Sequence, residues 1–406
     1  MITKKRKLRI GWLLVLVICI ALIYSAYKML NLSTKNKVTL TIPVTYKVAG
    51  KLKINWPYNS EGNILIYHYG ILSKTSNQQP MPIASVTKIM TAYLVLKDHP
   101  LYIGQNGPII NISSNDVRIY KKDKANQQSV LKIAKGEKLS EKELLEGLLL
   151  PSGNDCATIL AKWDSGSVKS FVAKMNKMAK LIGMNHTHYA DPAGVKLDTQ
   201  STSSDQIKLA KKAMEIPVFR YLVSKAQAVL PVAGIVYNVN YDLGKDNIVG
   251  IKTGSMPQSG GDFVFAAKKM VGFQRILIIG DLLGEYGKQP LMDALNSSIK
   301  IINQARKNLE LKKIFSKNQI IGYMYYDWSK PIGLKLKKSF YAILWPGEKL
   351  KIHYKTLKSK LPFAKGQVVG YLDITNKSFK KQIPVFVNSL VQKPTLEQRL
   401  NNVFRI

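Results

Sequence analysis

The stretch Pro82-Ile83-Ala84-Ser85-Val86-Thr87-Lys88-Ile89-Met90-Thr91-Ala92-Tyr93-Leu94-Val95-Leu96 is the part of the chain around which we expect the rest to be organised. After Pro82 its apolar residues recur at steps of three and four, which predicts a helix. Ser85 and Lys88 are three residues apart, so near a helix start they lie on one face. A serine hydroxyl attacks a carbonyl poorly until a neighbouring base takes its proton. A lysine kept neutral by burial or by another cation can be that base.

The Ser-x-x-Lys spacing by itself is weak evidence in a lysine-rich chain. The stretches 129–132, 297–300 and 378–381 have the same spacing, and a solvated lysine beside an incidental serine explains it equally well. A motif is a hypothesis until its context agrees. A serine at a helix N-terminus does have free backbone N–H groups nearby, where a developing oxyanion would be stabilised.

Length and composition allow a protein of two domains plus appendages. The chain has 406 residues, of which 46% are hydrophobic, so it can bury a core. Of its two cysteines, Cys19 lies in an apolar run and Cys156 beside a predicted helix. They imply no disulfide framework.

The charge of the chain calls for an anionic partner. Its 61 lysines and arginines against 25 acidic residues give a formal net charge of +36. Nucleic acid, an anionic membrane face and an anionic cell-wall polymer such as teichoic acid all fit that charge. The basic residues are spread along the whole chain, without an RNA-binding signature or a DNA-reading helix. We therefore expect a generally cationic surface toward a wall polymer or membrane, and no nucleic acid.

The N-terminal residues predict a membrane anchor. A basic segment, residues 1–9, precedes an apolar run over residues 10–27. As a helix, that run would span roughly 27 Å, close to the hydrocarbon thickness of a bilayer. A cleavable signal peptide and a buried helix are the alternatives, but no clear cleavage site follows and the flank is basic. We expect an uncleaved single-pass anchor in the cell membrane, with the N-terminus cytoplasmic and the catalytic part extracellular.

A second polar motif lies between two predicted helices. Ser140-Glu141-Lys142-Glu143 is a capping box that opens a helix ended by Pro151. Ser152-Gly153-Asn154 follows at once, and another helix begins near Asp155. The Ser-x-Asn pattern recurs at 113–115 and 316–318, so the position of the motif is more informative than its composition.

A third motif ends a predicted strand. Residues 247–254 read as a strand that carries Lys252-Thr253-Gly254, followed by a glycine turn and two more strands at 263–267 and 275–279. This predicts the edge of an antiparallel sheet. An ammonium and a hydroxyl there can hold a carboxylate, and a strand edge can pair with an extended peptide. An ordinary hairpin is the alternative.

His186 and His188 are the obvious candidates for a metal site. No second ligand cluster accompanies them and His-Glu-x-x-His is absent. We expect them to be turn residues, with no metal and no cofactor. Asp191-Pro192-Ala193-Gly194 reads as a further turn.

The three motifs occur in the order Ser-x-x-Lys, Ser-x-Asn, Lys-Thr-Gly, each in a suitable element. In this the chain resembles the serine penicillin-recognising enzymes, and most closely the low-molecular-mass D-alanyl-D-alanine carboxypeptidases of peptidase family S11. The similarity covers about residues 60–285 and extends loosely beyond them.

The resemblance implies a mixed α/β (α+β) fold of the β-lactamase/transpeptidase type. An antiparallel sheet flanked by helices would be joined by a small C-terminal β domain and the N-terminal transmembrane helix. The expected divisions are a cytoplasmic segment (1–9), a membrane anchor (10–27), a stalk with entry strands (28–60), the catalytic domain (61–285), a connecting helix (286–315), the C-terminal β domain (316–393) and a short tail (394–406).

The resemblance also implies roles for single residues. Ser85 would be the acylated nucleophile, Lys88 its base, and Ser152 the relay of a proton to the leaving amine. Lys252 would bind the terminal carboxylate and lower the proton affinity of Lys88. The penultimate D-Ala carbonyl of the peptidoglycan stem peptide would be captured as an ester, and β-lactam antibiotics would acylate Ser85.

Four residues are expected to bind substrate beside Lys252. Asn154 would hold the amide of the substrate and Thr253 its carboxylate, and Gly254 and Ser255 would also be substrate-binding residues. The backbone N–H groups of Ser85 and Ser255 would form the oxyanion hole.

The chain departs from the family pattern after Lys-Thr-Gly. Met256 and Ser259-Gly260 stand where a threonine and an Ala-Gly pair are usual, which puts substrate preference in doubt. A class A β-lactamase would need a deacylating glutamate, and Glu215 has the wrong context. A transpeptidase or endopeptidase of the superfamily, or a non-catalytic wall-binding protein with this fold, are the other readings.

Overall fold

The computed structural model describes residues 2–30, 36–357, 360–376 and 379–399, with side chains of the first helix described from residue 11 to 27. The chain divides into two compact units. One comprises residues 48–311 and 343–347. The other comprises 1–47, 312–342 and 348–406.

The helices in the described part of the chain are α1 Ile2–Leu30, α2 Lys88–Asp98, α3 Ser114–Ala125, α4 Glu141–Leu149, α5 Asn154–Ser165, α6 Val168–Leu181, α7 Ser203–Ala213, α8 Pro217–Val223 and α9 Pro290–Asn308, with short 3₁₀ turns at Ala84–Thr87 and Lys245–Asn247.

The strands are β1 Lys37–Leu40, β2 Thr45–Lys47, β3 Glu61–Ile66, β4 Gly70–Lys74, β5 Met81–Pro82, β6 Ile109–Asn111, β7 Lys138–Ser140, β8 Gln200–Ser201, β9 Gln227–Leu230, β10 Gly234–Tyr237, β11 Ile248–Met256, β12 Gly260–Val271, β13 Gln274–Glu285, β14 Glu310–Phe315, β15 Ile320–Tyr325, β16 Ile332–Lys335, β17 Phe340–Leu344, β18 Lys349–Thr356, β19 Val368–Thr375 and β20 Lys380–Val387.

The unit of residues 48–311 is built on a five-stranded antiparallel sheet in the order β11-β12-β13-β3-β4. Alternate residues of one strand enter separate cores, because successive side chains point to opposite faces. On β12, Val264 and Ala266 pack with the helices α2 and α4 to α8, whereas Phe263 and Phe265 pack with α9. The antiparallel sheet flanked by helices that the sequence predicted is confirmed.

Helix α2 lies in the middle of the larger core. Its residues Ile89 to Leu96 are all buried, so it is apolar around nearly its whole circumference. Neighbouring α4 has the predicted capping box, in which the Ser140 hydroxyl accepts from Glu143 N–H and the Glu143 carboxylate accepts from Ser140 N–H. These local bonds satisfy the free N–H groups of the first turn.

The other unit contains a seven-stranded antiparallel sheet in the order β1-β15-β16-β20-β19-β18-β2. Its outer strands β1 and β2 come from the segment 28–60 that the sequence assigned to a stalk with entry strands. Their partners β15 and β18 lie hundreds of residues further along the chain, so local sequence patterns did not indicate that β1 and β2 belong to this sheet. The predicted connecting helix, 286–315, contains α9, and that helix packs against β12 and β13.

Helix α1 includes the apolar run of residues 10–27, and its described side chains are mostly exposed. Among the described residues, no helix combines the length and the apolar character needed to cross a membrane.

Candidate active site

Ser85 and Lys88 meet at the start of α2. Ser85 lies on the 3₁₀ turn Ala84–Thr87, and Lys88 is the first residue of the α-helix. A 3₁₀ turn has three residues per turn, so side chains at i and i+3 are eclipsed. Lys88 Nζ accordingly lies 2.7 Å from Ser85 Oγ. The sequence predicted that Ser85 and Lys88 meet across an α-helical turn. The tighter 3₁₀ turn aligns their side chains more directly.

The Lys88 ammonium group is entirely buried and makes three hydrogen bonds. Besides Ser85 Oγ, it donates to Asn154 Oδ1 at 2.6 Å and to the Ala193 carbonyl at 3.1 Å. Burial lowers the pKa of Lys88 from 10.5 to about 7, and the nearby carboxylates of Asp191 and Asp155 oppose that shift. A substantial fraction of the amine is therefore uncharged at neutral pH.

The side-chain amide of Asn154 is held in one orientation by Gln128. Its Nδ2 donates to Gln128 Oε1 at 2.9 Å, so its Oδ1 faces Lys88. Gln128 follows α3 in the chain, 26 positions before Asn154. Only the fold brings the two amides together, and no sequence signal marked Gln128.

The turn Asp191–Gly194 supplies one of the three hydrogen-bond partners of Lys88. The Asp191 carboxylate accepts the backbone N–H groups of Ala193, Gly194, Val195 and Lys196 at 2.7–3.1 Å. Carboxylate acceptors of this kind form strong, charge-assisted bonds. They fix the loop so that the Ala193 carbonyl reaches Lys88. The sequence predicted a turn here and missed this role; an aspartate at the start of the turn was its only signal.

Gly194 allows the loop to approach the 3₁₀ turn that carries Ser85. Its φ is +78°, and a Cβ atom there would lie 1.8 Å from the Ala84 carbonyl oxygen. Only glycine satisfies both conditions without strain. On the other side of the loop, the Thr91 hydroxyl donates to the Pro192 carbonyl at 2.6 Å, which ties the loop to α2.

Ser152 is strained and unpartnered. Its φ is +66°, a left-handed conformation that costs energy for a residue other than glycine. Its hydroxyl is buried and has no hydrogen-bond partner among the described residues. Strain and an unsatisfied buried polar atom in one residue are typical of functional sites.

Lys252, Thr253 and Gly254 lie on β11, the edge strand beside the 3₁₀ turn. A Cβ atom at Gly254 would be 3.2 Å from the backbone nitrogen of Ser85, so the strand and the turn are in close contact. Lys252 is buried, and its Nζ donates to the Thr253 carbonyl at 3.0 Å. Ser255, the next residue on the strand, is exposed.

The two buried lysines interact electrostatically. Burial lowers the pKa of Lys252 well below 10.5, and the charge of Lys88 lowers it further. The sequence predicted that Lys252 lowers the pKa of Lys88. Burial is the largest cause at both lysines, and the charge effect found between them is that of Lys88 on Lys252. An added anion beside Lys252 would keep the charge there and leave Lys88 neutral.

Two of the three motifs are therefore joined by direct hydrogen bonds, and the third lies against the turn that carries the serine. In the described part of the chain, no group of three His, Cys, Asp or Glu residues is placed to hold a metal ion. His186, one of the two histidines considered, donates its backbone N–H to Asp205.

A match to a protein-family profile shows the family of this chain. The family profile described as Peptidase S11, D-alanyl-D-alanine carboxypeptidase, matches residues 64–280, which is more than half of the 406 residues. The chain therefore belongs to the D-alanyl-D-alanine carboxypeptidase family, S11, as the sequence predicted. Its class is that of a serine-type D-Ala-D-Ala carboxypeptidase.

Individual relatives agree with this assignment. A D-alanyl-D-alanine carboxypeptidase of Streptomyces sp. K15 is 35% identical over 202 residues, 46% of this chain and 67% of that protein. The carboxypeptidase DacF of Bacillus subtilis is 26% identical over 325 residues, 74% of this chain and 77% of its own. Penicillin-binding protein 5 of Haemophilus influenzae has the same fold, with a TM-score of 0.59 and 23% identity over 85% of this chain and 100% of that one.

The position of Gln128 gives a first testable prediction. Gln128→Leu removes the acceptor that orients Asn154, so the Asn154 amide can turn and present an N–H to Lys88. That N–H would bond the lone pair of the Lys88 amine and disfavour its ammonium form. We expect the plateau rate of acylation by penicillin to fall about tenfold, the effect of one lost hydrogen bond, and its pH midpoint to move down.

Gln128→Glu is the matched control, since it keeps an acceptor oxygen. Its added negative charge should move the midpoint up while the plateau rate stays within about threefold of wild type. If penicillin acylates Gln128→Leu with the rate and pH midpoint of wild type, Gln128 does not position Asn154. Both are measured by stopped-flow acylation across pH, with thermal unfolding as the check on folding.

Proposed function

We propose that Lys88 is the base that activates Ser85, and one observation carries this proposal. Two of the three partners of Lys88 Nζ, Asn154 Oδ1 and the Ala193 carbonyl, are acceptors only. A neutral amine has two N–H donors and one lone pair. With both N–H groups used by those oxygens, its lone pair faces the Ser85 hydroxyl 2.7 Å away. The amine is then placed to take the serine proton.

The proposed reaction is acyl transfer at the penultimate D-Ala of a peptidoglycan pentapeptide. Ser85 Oγ attacks the carbonyl, its proton passes to Lys88, and the backbone N–H groups of Ser85 and Ser255 stabilise the oxyanion. The proton then reaches the amine of the departing D-Ala through Ser152. Its buried, partnerless hydroxyl is available for this relay. Water hydrolyses the ester by the reverse path.

Substrate recognition is assigned to β11 and Asn154. As the edge strand, β11 offers backbone groups to an extended peptide. Lys252 and Thr253 take the terminal carboxylate, whose charge holds the proton on Lys252 and so keeps Lys88 neutral. Asn154 uses the second N–H of its Nδ2 for the substrate amide, because the first is bonded to Gln128. β-Lactam antibiotics occupy the same site and acylate Ser85.

The test is product analysis with purified full-length chain. A pentapeptide ending in D-Ala-D-Ala should release one equivalent of free D-Ala, with no dimer formed. Cleavage of cross-linked dimers alone, or their formation, would instead support the endopeptidase or transpeptidase reading. Absence of any turnover with intact penicillin labelling would support a binding protein.

We further propose that residues 10–27 anchor the chain in the cell membrane, with residues 1–9 cytoplasmic and the catalytic unit outside. The apolar run and its basic flank support this. In cells producing the full-length chain, the protein should stay in the membrane fraction after an alkaline carbonate wash. External protease should reach the catalytic unit in cells stripped of wall. Release by carbonate would contradict the anchor.

A further inference from the structure

A cationic cavity lies on the five-stranded sheet, at the end opposite the β11–β12 turn. It has a volume of about 590 Å³ and is lined by residues of β11, β12, β13 and α8, together with Tyr67 at the end of β3. One wall of the cavity is formed by residues that lie side by side on neighbouring strands. Lys268 on β12 is directly opposite Leu277 on β13, and the N–H of Tyr67 donates to the Leu277 carbonyl at 2.9 Å.

This cavity is separate from the serine site. Lys252 is paired with Val264, and Lys268 is four residues further along the same strand. At about 3.3 Å per residue, the two rows are roughly 13 Å apart. A ligand in the cavity would therefore lie close to the substrate without occupying its place.

The charged groups of the cavity are Arg220, Lys268 and Arg275. All three are exposed, and none forms an ion pair with a carboxylate in the described residues. Arg220 donates one N–H to the Met214 carbonyl, which fixes its guanidinium on the wall. The chain is rich in lysine but poor in arginine, yet two arginines line this one cavity. Arginine presents a planar set of donors that matches phosphate oxygens.

A second cavity borders the first on the side of Lys268 and Arg275. The neighbouring cavity, of about 390 Å³, shares Val249, Lys268 and Arg275 with the first; its other cation, Lys269, is paired with Asp246. Lys268 and Arg275 are diagonal neighbours across the two strands, roughly 7–8 Å apart. Cations spaced along a groove suit the successive charges of a chain better than a single small ion.

We propose that this groove, defined by Arg220, Lys268, Arg275, Tyr67 and Tyr221, binds a polyol chain linked by phosphodiesters. The arginines and Lys268 contact the phosphates, and the two tyrosines provide flat surfaces for the polyol carbons. A concave groove admits a flexible chain but excludes a flat bilayer. Binding there would hold the enzyme against the cell wall and raise the local concentration of stem peptide at Ser85. The proposal adds a second site to the proposed reaction and relies on the proposed extracellular location.

The experiment measures binding of a fluorescent poly(glycerol phosphate) oligomer to purified full-length chain by anisotropy at several salt concentrations. The groove variant is Arg220→Gln/Lys268→Gln/Arg275→Gln. The charge-matched control is Lys169→Gln/Lys177→Gln/Lys180→Gln, three exposed lysines of α6 without ion pairs in the described residues. We expect at least tenfold weaker binding and a smaller salt dependence for the groove variant, and less than threefold change for the control.

Several outcomes would overturn the proposal. They are equal losses in both variants, no binding to wild type, or tighter binding to an oligothymidylate with the same number of phosphates. Binding of both variants to phosphatidylglycerol vesicles, with the polyol oligomer ignored, would assign the charge to a membrane instead. Labelling by fluorescent penicillin should be equal in all three proteins. Its retention shows an intact Ser85 site and separates failure of the groove from failure of the proposed reaction.

Discussion

Ser85→Ala abolishes covalent labelling of the full-length chain by fluorescent penicillin and lowers release of D-Ala by at least about a thousandfold. The expected size follows from the loss of the covalent route, because no other hydroxyl in the described residues is bonded to a buried lysine. Ser85 is half-buried and its side chain is small, so removing one oxygen should leave thermal unfolding nearly unchanged. The readout is fluorescence of the denatured protein band together with an assay for free D-Ala.

The chain supplies a matched control for this experiment. Ser297 has the same Ser-x-x-Lys spacing, with Lys300, but lies on α9, where its hydroxyl bonds Glu285. Ser297→Ala should keep full labelling and turnover. Labelling that survives in Ser85→Ala would place the nucleophile elsewhere, and loss of labelling in Ser297→Ala would show that folding, and not the hydroxyl, had been tested.

Acylation by penicillin should rise with pH and level off near the pKa of Lys88. Only the neutral amine can accept the serine proton, and the pKa of Lys88 is lowered to about 7 by burial. Below that value the neutral fraction falls about tenfold for each pH unit, so the rate falls equally; above it the rate is constant. The pKa of neighbouring Asp155 is raised to about 6, so its protonation would add a further inflection below the main one.

Lys88→Met tests the same role by removing the amine while keeping a long, unbranched side chain. We expect acylation at pH 8 to fall by at least about a thousandfold. Stability should fall modestly, because the buried Asn154 Oδ1 and Ala193 carbonyl lose their donor, a cost only partly offset by no longer burying an ammonium group. Stopped-flow acylation from pH 5 to 9 and thermal unfolding measure both. A flat wild-type profile, or Lys88→Met within tenfold of wild type, would contradict lysine as the base.

The parts of this protein that short-range chemistry controls could be predicted from the sequence. The capping box at Ser140 and the helix that follows are examples, since a hydroxyl and a carboxylate three residues apart satisfy the first turn on their own. The pairing of Ser85 with Lys88 is another, because i and i+3 meet on any helical turn. The glycine turn between β11 and β12 and the order of the motifs also follow from local sequence, and the order indicated the family.

Other features depend on contacts between distant segments. Gln128 meets Asn154, and the Ala193 carbonyl meets Lys88, only after the helices pack and the loop held by Asp191 closes on α2. The strands β1 and β2 join a sheet whose other members begin at residue 320. Local periodicity carries no information about such partners.

The sequence by itself determined the reactive groups, their order and the local turns that present them, because these depend on hydrogen bonds within a few residues. Only the tertiary structure decided that the amine of Lys88 is surrounded by two carbonyl acceptors and one hydroxyl, with water excluded. Burial and the direction of a lone pair are properties of packing. Burial lowers the pKa of this lysine to about 7.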